Sequence, residues 1–304
     1  MSRAALSLSL RGQRYGLGGR TWLMGILNVT PDSFADGGLY LDPARAVDHG
    51  LELAFEGADI LDVGGESTRP GSRPVPEAEE LGRVLPVIRA LRKKTGAFIS
   101  VDTTKAAVAR AALDAGADLV NDTSAFRADP DMAGVVARAG AAAVLMHMQG
   151  TPLTMQEAPR YDDLVGEVRG FLAERLRAAE AAGIPPERLI VDPGIGFGKT
   201  VEHNLELLRR QDEFLALGRP LLLGFSRKAF LGVILDRPPA GRLEGTIAAA
   251  VLSVERGAHI LRVHDVGAVA RAVRSAEAIL GLDDAGGGGP ERPAVQAAEA
   301  GHVR

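Results

Sequence analysis

Polar and charged residues recur through this 304-residue sequence at the ends of short apolar runs. In order they are Asn28 with Thr30-Pro31-Asp32; Glu66-Ser67-Thr68-Arg69-Pro70-Gly71; Asp102-Thr103; Asn121-Asp122; His147; Asp192-Pro193-Gly194; Ser226-Arg227-Lys228; and Arg262-Val263-His264-Asp265. Any single Asp, Asn or Ser among them could be a helix N-cap. Eight such ends in succession are poorly explained by turn chemistry. Asp102, Asn121 and Asp192 supply two carboxylates and an amide, and a buried carboxylate without a cationic partner is costly. Such groups make sense where a ligand brings N–H donors. A 2-amino-4-oxo pyrimidine ring does so, because one carboxylate can accept its two parallel N–H groups. Salt bridges within the protein are the competing explanation. The late segments carry the opposite sign, in Arg227, Lys228, Arg262 and His264, which points to an anionic ligand. Its alternative is pairing of Arg262 and His264 with Asp265 and other carboxylates.

The apolar runs that would position these groups are Trp22–Val29, Asp59–Val63, Phe98–Asp102, Asp118–Asn121, Ala142–His147, Leu189–Asp192, Pro220–Phe225 and His259–Val263. They are short and continuous, as strands buried on both faces are. Amphipathic patterns lie between them at Pro43–Glu56, Glu77–Lys94, Lys105–Ala115, Asp131–Ala139, Tyr161–Ala182, Glu202–Arg210, Arg242–Arg256 and Val266–Leu280. Gly57, Gly116, Gly140 and Gly257 follow helical stretches as C-cap glycines do. Eight βα units predict an α/β fold, a (β/α)₈ TIM barrel, whose active site lies where the strands end and whose phosphate site lies by strands seven and eight. Residues 6–19 read as a short N-terminal β-hairpin over the barrel bottom, with Gly12 and Gln13 at its turn. A single domain is expected over residues 1–284. The glycine-rich stretch 285–304 reads as a disordered C-terminal tail.

The balance of the chain narrows the classes. A formal charge of −4 leaves no nucleic-acid footprint, so an anion would need a local basic site. Only five lysines occur, at 93, 94, 105, 199 and 228, against abundant arginine. Cysteine is absent, which excludes disulfides, thiolate metal sites and a cysteine nucleophile. No signal-peptide core and no long apolar run is visible, so a cytoplasmic protein without membrane or nucleic-acid partners is expected. No Gly-x-Ser-x-Gly elbow occurs, and the histidines lack zinc spacing. Asp192-Pro-Gly-Ile-Gly-Phe-Gly-Lys199 lacks the spacing of a phosphate loop. An oxygen-rich site with a diphosphate would suit Mg²⁺. The first loop, 28–38, reads as a lid or an ordered connection.

Met24-Gly-Ile-Leu-Asn-Val-Thr-Pro-Asp-Ser-Phe34 and Asp62-Val-Gly-Gly-Glu-Ser-Thr-Arg-Pro-Gly71 resemble the two signature segments of dihydropteroate synthases. Val101-Asp-Thr-Thr-Lys105, Asn121-Asp122, Met146-His-Met-Gln-Gly-Thr-Pro152, Asp192–Lys199, Phe225-Ser-Arg-Lys228 and Arg262-Val-His-Asp265 follow in the family's order, over residues 22–280. The resemblance implies condensation of a pterin diphosphate with 4-aminobenzoate in a homodimer that uses Mg²⁺. Asp102, Asn121, Asp192 and Lys228 would then hold the pterin, lined by Met146, Phe197 and Gly224. Arg262 and His264 would hold the diphosphate, with Thr68 also on that substrate and Asn28 helping to bind the metal. Thr68, Arg69, Pro70 and Ser226, with Phe34, would shape the 4-aminobenzoate site. Catalysis would fall to Arg262, His264, Lys228 and Asp36, with no protein general base. Two alternatives are a pterin-binding methyltransferase using methyltetrahydrofolate and a catalytically silent pterin-binding paralogue. The Ser-Arg-Lys and Arg-Val-His-Asp segments argue against the first, and the absence of any lost signature residue argues against the second.

Overall fold

A computed structural model describes residues 5–30 and 43–282. Two antiparallel strands, β1 (Leu6–Leu10) and β2 (Gln13–Leu17), form a separate hairpin. Eight parallel strands follow: β3 (Trp22–Asn28), β4 (Ile60–Gly64), β5 (Phe98–Asp102), β6 (Leu119–Asp122), β7 (Ala142–Met146), β8 (Leu189–Asp192), β9 (Leu222–Leu223) and β10 (Ile260–Val263). Their order in the sheet is β8-β7-β6-β5-β4-β3-β10-β9, and a parallel bridge between Val191 and Leu221 joins its two ends. The helices between them are α1 (Pro43–Glu56), α2 (Glu77–Lys94), α3 (Ala106–Asp114), α4 (Met132–Ala139), α5 (Leu164–Ala181), α6 (Val201–Arg209), α7 (Ala229–Leu235), α8 (Leu243–Glu255) and α9 (Val266–Leu280). The architecture is a (β/α)₈ barrel with an N-terminal hairpin, as the alternation of runs predicts. No helix among the described residues is long and apolar enough to cross a membrane.

Three local expectations are corrected. The hairpin turns at Arg11-Gly12, with φ of +50° and +72°, so Gln13 pairs with Leu10 inside the ladder. Two consecutive positive φ angles match the twist of the flanking strands. The seventh barrel strand is only Leu222–Leu223, because Pro220 has no N–H to give to a ladder and the chain turns away at Ser226. After it comes α7, whose seven mostly apolar residues are too few to show a helical period. Phe34, Asp36 and the tail 285–304 lie outside the described residues.

The strands look uniformly apolar in sequence, yet their alternate residues play different parts. Outward residues such as Leu61, Val63, Ile99, Val101, Val120, Ala143, Leu145, Val191 and Leu261 pack in the main core with helix residues. Inward residues Met24, Ile60, Phe98, Leu119, Ala142, Val144, Ile190, Leu222 and Ile260 form a second core inside the barrel. The hairpin closes this inner core with Leu8, Leu10 and Leu17. Phe98 stacks on Trp22 at 5.6 Å between centroids, with Tyr15 edge-on at 5.2 Å. The Arg11 guanidinium lies over the same ring at 4.7 Å and ties the turn to Asp118.

Because Phe98 joins hairpin to barrel in a fully packed layer, Phe98→Ala should cost about 3–5 kcal/mol. Urea unfolding of the full chain measures it; a cost below ~1 kcal/mol would mean the hairpin packs independently of this ring.

Candidate active site

Above the apolar layer, by one inward step on β6 to β10 and by two on β3 to β5, the barrel lining changes character. The side chains there are Asn28, Asp102, Asn121, Met146, Asp192 and Arg262, with Gly64 and Gly224 leaving bare backbone. The ladder sets Gly64 beside Asn28 and Asp102, Asp102 beside Asn121, and Met146 beside Asp192. A methyl group on Gly64 would stand 3.6 Å from Asn28 Oδ1 and 3.7 Å from Asp102 Oδ2, so these oxygens share one side of the mouth. A methyl on Gly224 would stand 3.6 Å from Arg262 Cβ.

Arg262 lies at the centre of the layer. Its Nε donates to Asp62 Oδ2 at 2.6 Å and one Nη to Asp102 Oδ2 at 2.8 Å. Asp102 therefore does have a cationic partner, which corrects the expectation drawn from its buried position. Burial pushes the Asp102 carboxyl up to about 7; Arg262 opposes this, while the charges of Asp62, Glu80 and Asp122 reinforce it. Burial lowers the Arg262 pKa, but Asp62 and Asp102 outweigh it and the guanidinium stays charged. Asp192 is also raised by burial, with Lys228 pulling the other way, and its Oδ1 accepts from Gly194 N at 2.7 Å.

Across the mouth, Lys228 donates to the Ile195 carbonyl and lies 4.4 Å over the Phe197 ring. Burial brings its amine down to about 7 despite Asp192. Phe197 packs against the methionine cluster of Met146, Met148 and Met155. The loop after β8 is locked to the one after β7: Gly194, at φ +71°, passes so close to the His147 carbonyl that a Cβ would meet it at 1.9 Å. Lys199, buried in the same place, donates to His147 Nδ1 and to the Phe197 carbonyl, both at 3.0 Å. Burial and the Lys199 charge push His147 down to about 2, and burial brings Lys199 down to about 7.

Ser226 and His264 meet directly. Ser226 Oγ accepts from His264 N at 3.2 Å and lies 3.0 Å from His264 Nδ1. Burial, Arg262 and Arg227 lower His264 to about 3, so it is a neutral imidazole and adds no charge to the basic group. Arg227 pairs with Asp265, a pairing the sequence reading did not weigh, while the internal pairing it weighed for Arg262 is made with Asp62 and Asp102. The charged residues free to meet an anion are thus fewer than the sequence predicts. Thr68 is half-buried and Arg69 and Pro70 are exposed on the loop after β4, with the Arg69 charge felt at His264.

Several participants escape the sequence reading. Asp62 is wholly buried in mid-strand, where only its inward register gives it away. Glu66 Oε2 accepts from Lys105 Nζ at 2.6 Å and from Val75 N at 2.8 Å, clasping both ends of the loop that carries Thr68–Pro70. The same amine reaches the wholly buried Glu80 at 2.5 Å. Lys105 and Lys199 were marked in sequence by the scarcity of lysine and by the family-like segments that end on them, but not as partners of Glu66, Glu80 and His147. Asp122, in contrast, only braces its own turn through Ser124 and Phe126.

Fold and lining together define a (β/α)₈-barrel enzyme with an acceptor-rich mouth. A family model described as pterin binding enzyme matches residues 24–264. The dihydropteroate synthase of Escherichia coli K12 is 48% identical over 258 residues, 85% of this chain and 91% of its own. That of Synechocystis is 48% identical over 263 residues, 86% and 91% respectively. The Yersinia pestis dihydropteroate synthase, solved in a sulfonamide drug complex, aligns with a TM-score of 0.86 at 43% identity, covering 91% of this chain and all (100%) of its own. The Xanthomonas albilineans enzyme with 4-aminobenzoic acid aligns at 0.85 and 48%, covering 91% and 99%. The chain belongs to the pterin-binding enzyme family, among the dihydropteroate synthases.

Lys105→Met would leave the Glu80 carboxylate buried without its cation. Breaking such a pair by removing one partner should cost on the order of 3 kcal/mol. Chemical denaturation is the check; an unchanged midpoint would show that the clasp has no structural weight.

Proposed function

We propose that this chain joins (7,8-dihydropterin-6-yl)methyl diphosphate to 4-aminobenzoate, forming 7,8-dihydropteroate and diphosphate for folate synthesis. The observation that carries the reading is one barrel mouth in which the strand residues Asp102, Asn121 and Asp192 surround Arg262 and Lys228 joins them from the N-cap of α7, in a chain so similar to dihydropteroate synthases. The carboxylates and the amide accept the N–H groups of the heterocycle, and Lys228 donates to its acceptors. Met146, Phe197 and the bare edge at Gly224 make a flat slot for the ring.

Arg262 and His264 receive the diphosphate, the first as a cation and the second as a neutral N–H donor. Arg262 meets the anion through Nη1, the guanidinium nitrogen that neither Asp62 nor Asp102 holds. The C–O bond to the pterin methylene breaks and diphosphate leaves with the electron pair. The neutral aromatic amine supplies the pair for the new C–N bond, and its proton passes to solvent or diphosphate. No protein base is required. Fixed charge aimed at the departing oxygens is the main source of rate. Thr68, Arg69, Pro70 and Ser226 hold the 4-aminobenzoate.

Magnesium suits this arrangement. Among the described residues no cluster of three His, Asp, Glu or Cys side chains could hold a metal. An ion that keeps several waters and shares substrate phosphates needs only one or two protein ligands. Asn28 would hold it, and it would supply charge against the diphosphate.

The assembly is a homodimer in this reading. Val233 and Ile234 on α7, Leu252 on α8, and Ile279 and Leu280 on α9 are large apolar side chains left exposed on successive elements. Scattered exposed apolar residues are ordinary, whereas a shared patch favours a partner.

Purified protein with Mg²⁺ and the pterin diphosphate should release diphosphate only when 4-aminobenzoate is added. Arg262→Ala should lower kcat/KM about 10²–10³-fold while circular dichroism is unchanged. Normal turnover by that variant would defeat the leaving-group role. Sedimentation equilibrium should give twice the 31.8 kDa chain mass, and Ile279→Glu should shift it toward one chain. A monomer at all working concentrations would remove the dimer from the account.

A further inference from the structure

We infer that Asp62 is a positioning residue that sets the order of donor and acceptor which Asn121 turns toward the substrate ring. The inference rests on the reading of the mouth as a pterin site and adds a residue to it. Asp62 lies on β4 between the inner apolar residue Ile60 and the bare Gly64, wholly buried. Its Oδ2 accepts from Arg262 Nε at 2.6 Å and from Asn121 Nδ2 at 3.0 Å. Its Oδ1 has no hydrogen-bond partner among the described residues.

A carboxylate held against a guanidinium has only lone pairs to offer. An asparagine amide has two orientations, half a turn apart, which exchange its oxygen and nitrogen. Turned over, Asn121 would set its own oxygen against Asp62 Oδ2, acceptor against acceptor in a buried place. Asp62 therefore removes one orientation. What Asn121 then presents to the mouth is Oδ1 with its second N–H beside it, in an order that cannot reverse. A 2-aminopyrimidine edge, an exocyclic N–H next to a ring nitrogen lone pair, complements that order. A 2-oxo edge sets a carbonyl oxygen against Oδ1 and is rejected, because a polar group placed in the pocket without its partner is costly. Asp62 acts at a distance from the reacting atoms. It converts an ambivalent amide into a directional one and steadies Arg262 on the same oxygen.

The experiment compares equilibrium binding of 2-amino-4-oxopteridine and 2,4-dioxopteridine to the full-length chain. Asp62→Ala should shrink the preference for the 2-amino ring at least about tenfold, since Asn121 is then free to turn over. The KM for 4-aminobenzoate should stay within about twofold. Asp62→Asn, which can turn its own carbonyl to the same spot, should recover most of the preference. Equal weakening of both rings with the ratio intact, or no change at all, would overturn the inference.

A second measurement needs no variant. The chain has three asparagines, 28, 121 and 204, so asparagine-selective ¹⁵N labelling gives a readable side-chain spectrum. One Nδ2 proton of Asn121 should exchange slowly with solvent in the ligand-free chain. Fast exchange of both would also overturn the inference, whatever the alanine variant does. If the unmodified chain binds neither ring, the pterin reading fails, while the exchange measurement still decides the Asp62–Asn121 contact.

Discussion

A closed parallel barrel divides each strand into residues that face helices and residues that face the axis, and the rest of this structure follows from that division. One bridge between Val191 and Leu221 brings the two ends of the sheet together, so the strands share one axis and their inward side chains differ from one step to the next. The lower step is aliphatic and aromatic, sealed by Leu8, Leu10 and Leu17 of the hairpin. The upper step receives polar groups from strands far apart in the chain. Asp102 and Asn121 stand next to each other because β5 and β6 are paired in register, and Arg262 reaches both Asp62 and Asp102 from 200 and 160 residues away.

Placing charge there has a cost that the surroundings partly offset. Buried ion pairs seldom add stability over apolar packing, and their geometry is what the fold keeps them for. Arg262 between Asp62 and Asp102 is such an arrangement. The opposed shifts on the two sides of the mouth, Asp102 raised to about 7 and Lys228 lowered to about 7, have the same origin in burial. His264 is pushed down to about 3 by burial and the Arg262 and Arg227 charges, so it adds nothing to the positive field of the mouth.

The rim is braced between the loops after β7 and β8. Gly194 fits beneath the His147 carbonyl only because it lacks a Cβ, and Lys199 joins His147 to the Phe197 carbonyl. The loop carrying Thr68–Pro70 is held at its ends, by the Glu66–Lys105 clasp on Val75 and by the bond from Gly71 to Pro152. Its middle is exposed. A fixed slot beside a loop anchored at its ends suits a reaction in which one flat substrate is gripped and a second must enter.

The sequence by itself determined the element order and the strand-end groups, because strand and helix periods and turn residues are local properties. It also carried the family signatures, which are strings of adjacent residues. It did not show α7, whose seven residues are less than the span over which a helical period becomes visible. Asp62 was hidden for a different reason. A carboxylate in the middle of an apolar run becomes a site residue only when the barrel closes and its register turns inward beside Arg262 and Asn121. Which charges pair was likewise undecided locally: Arg227 turned to Asp265 and Arg262 to Asp62 and Asp102. Such pairings depend on distances between strands, and only tertiary structure sets those distances.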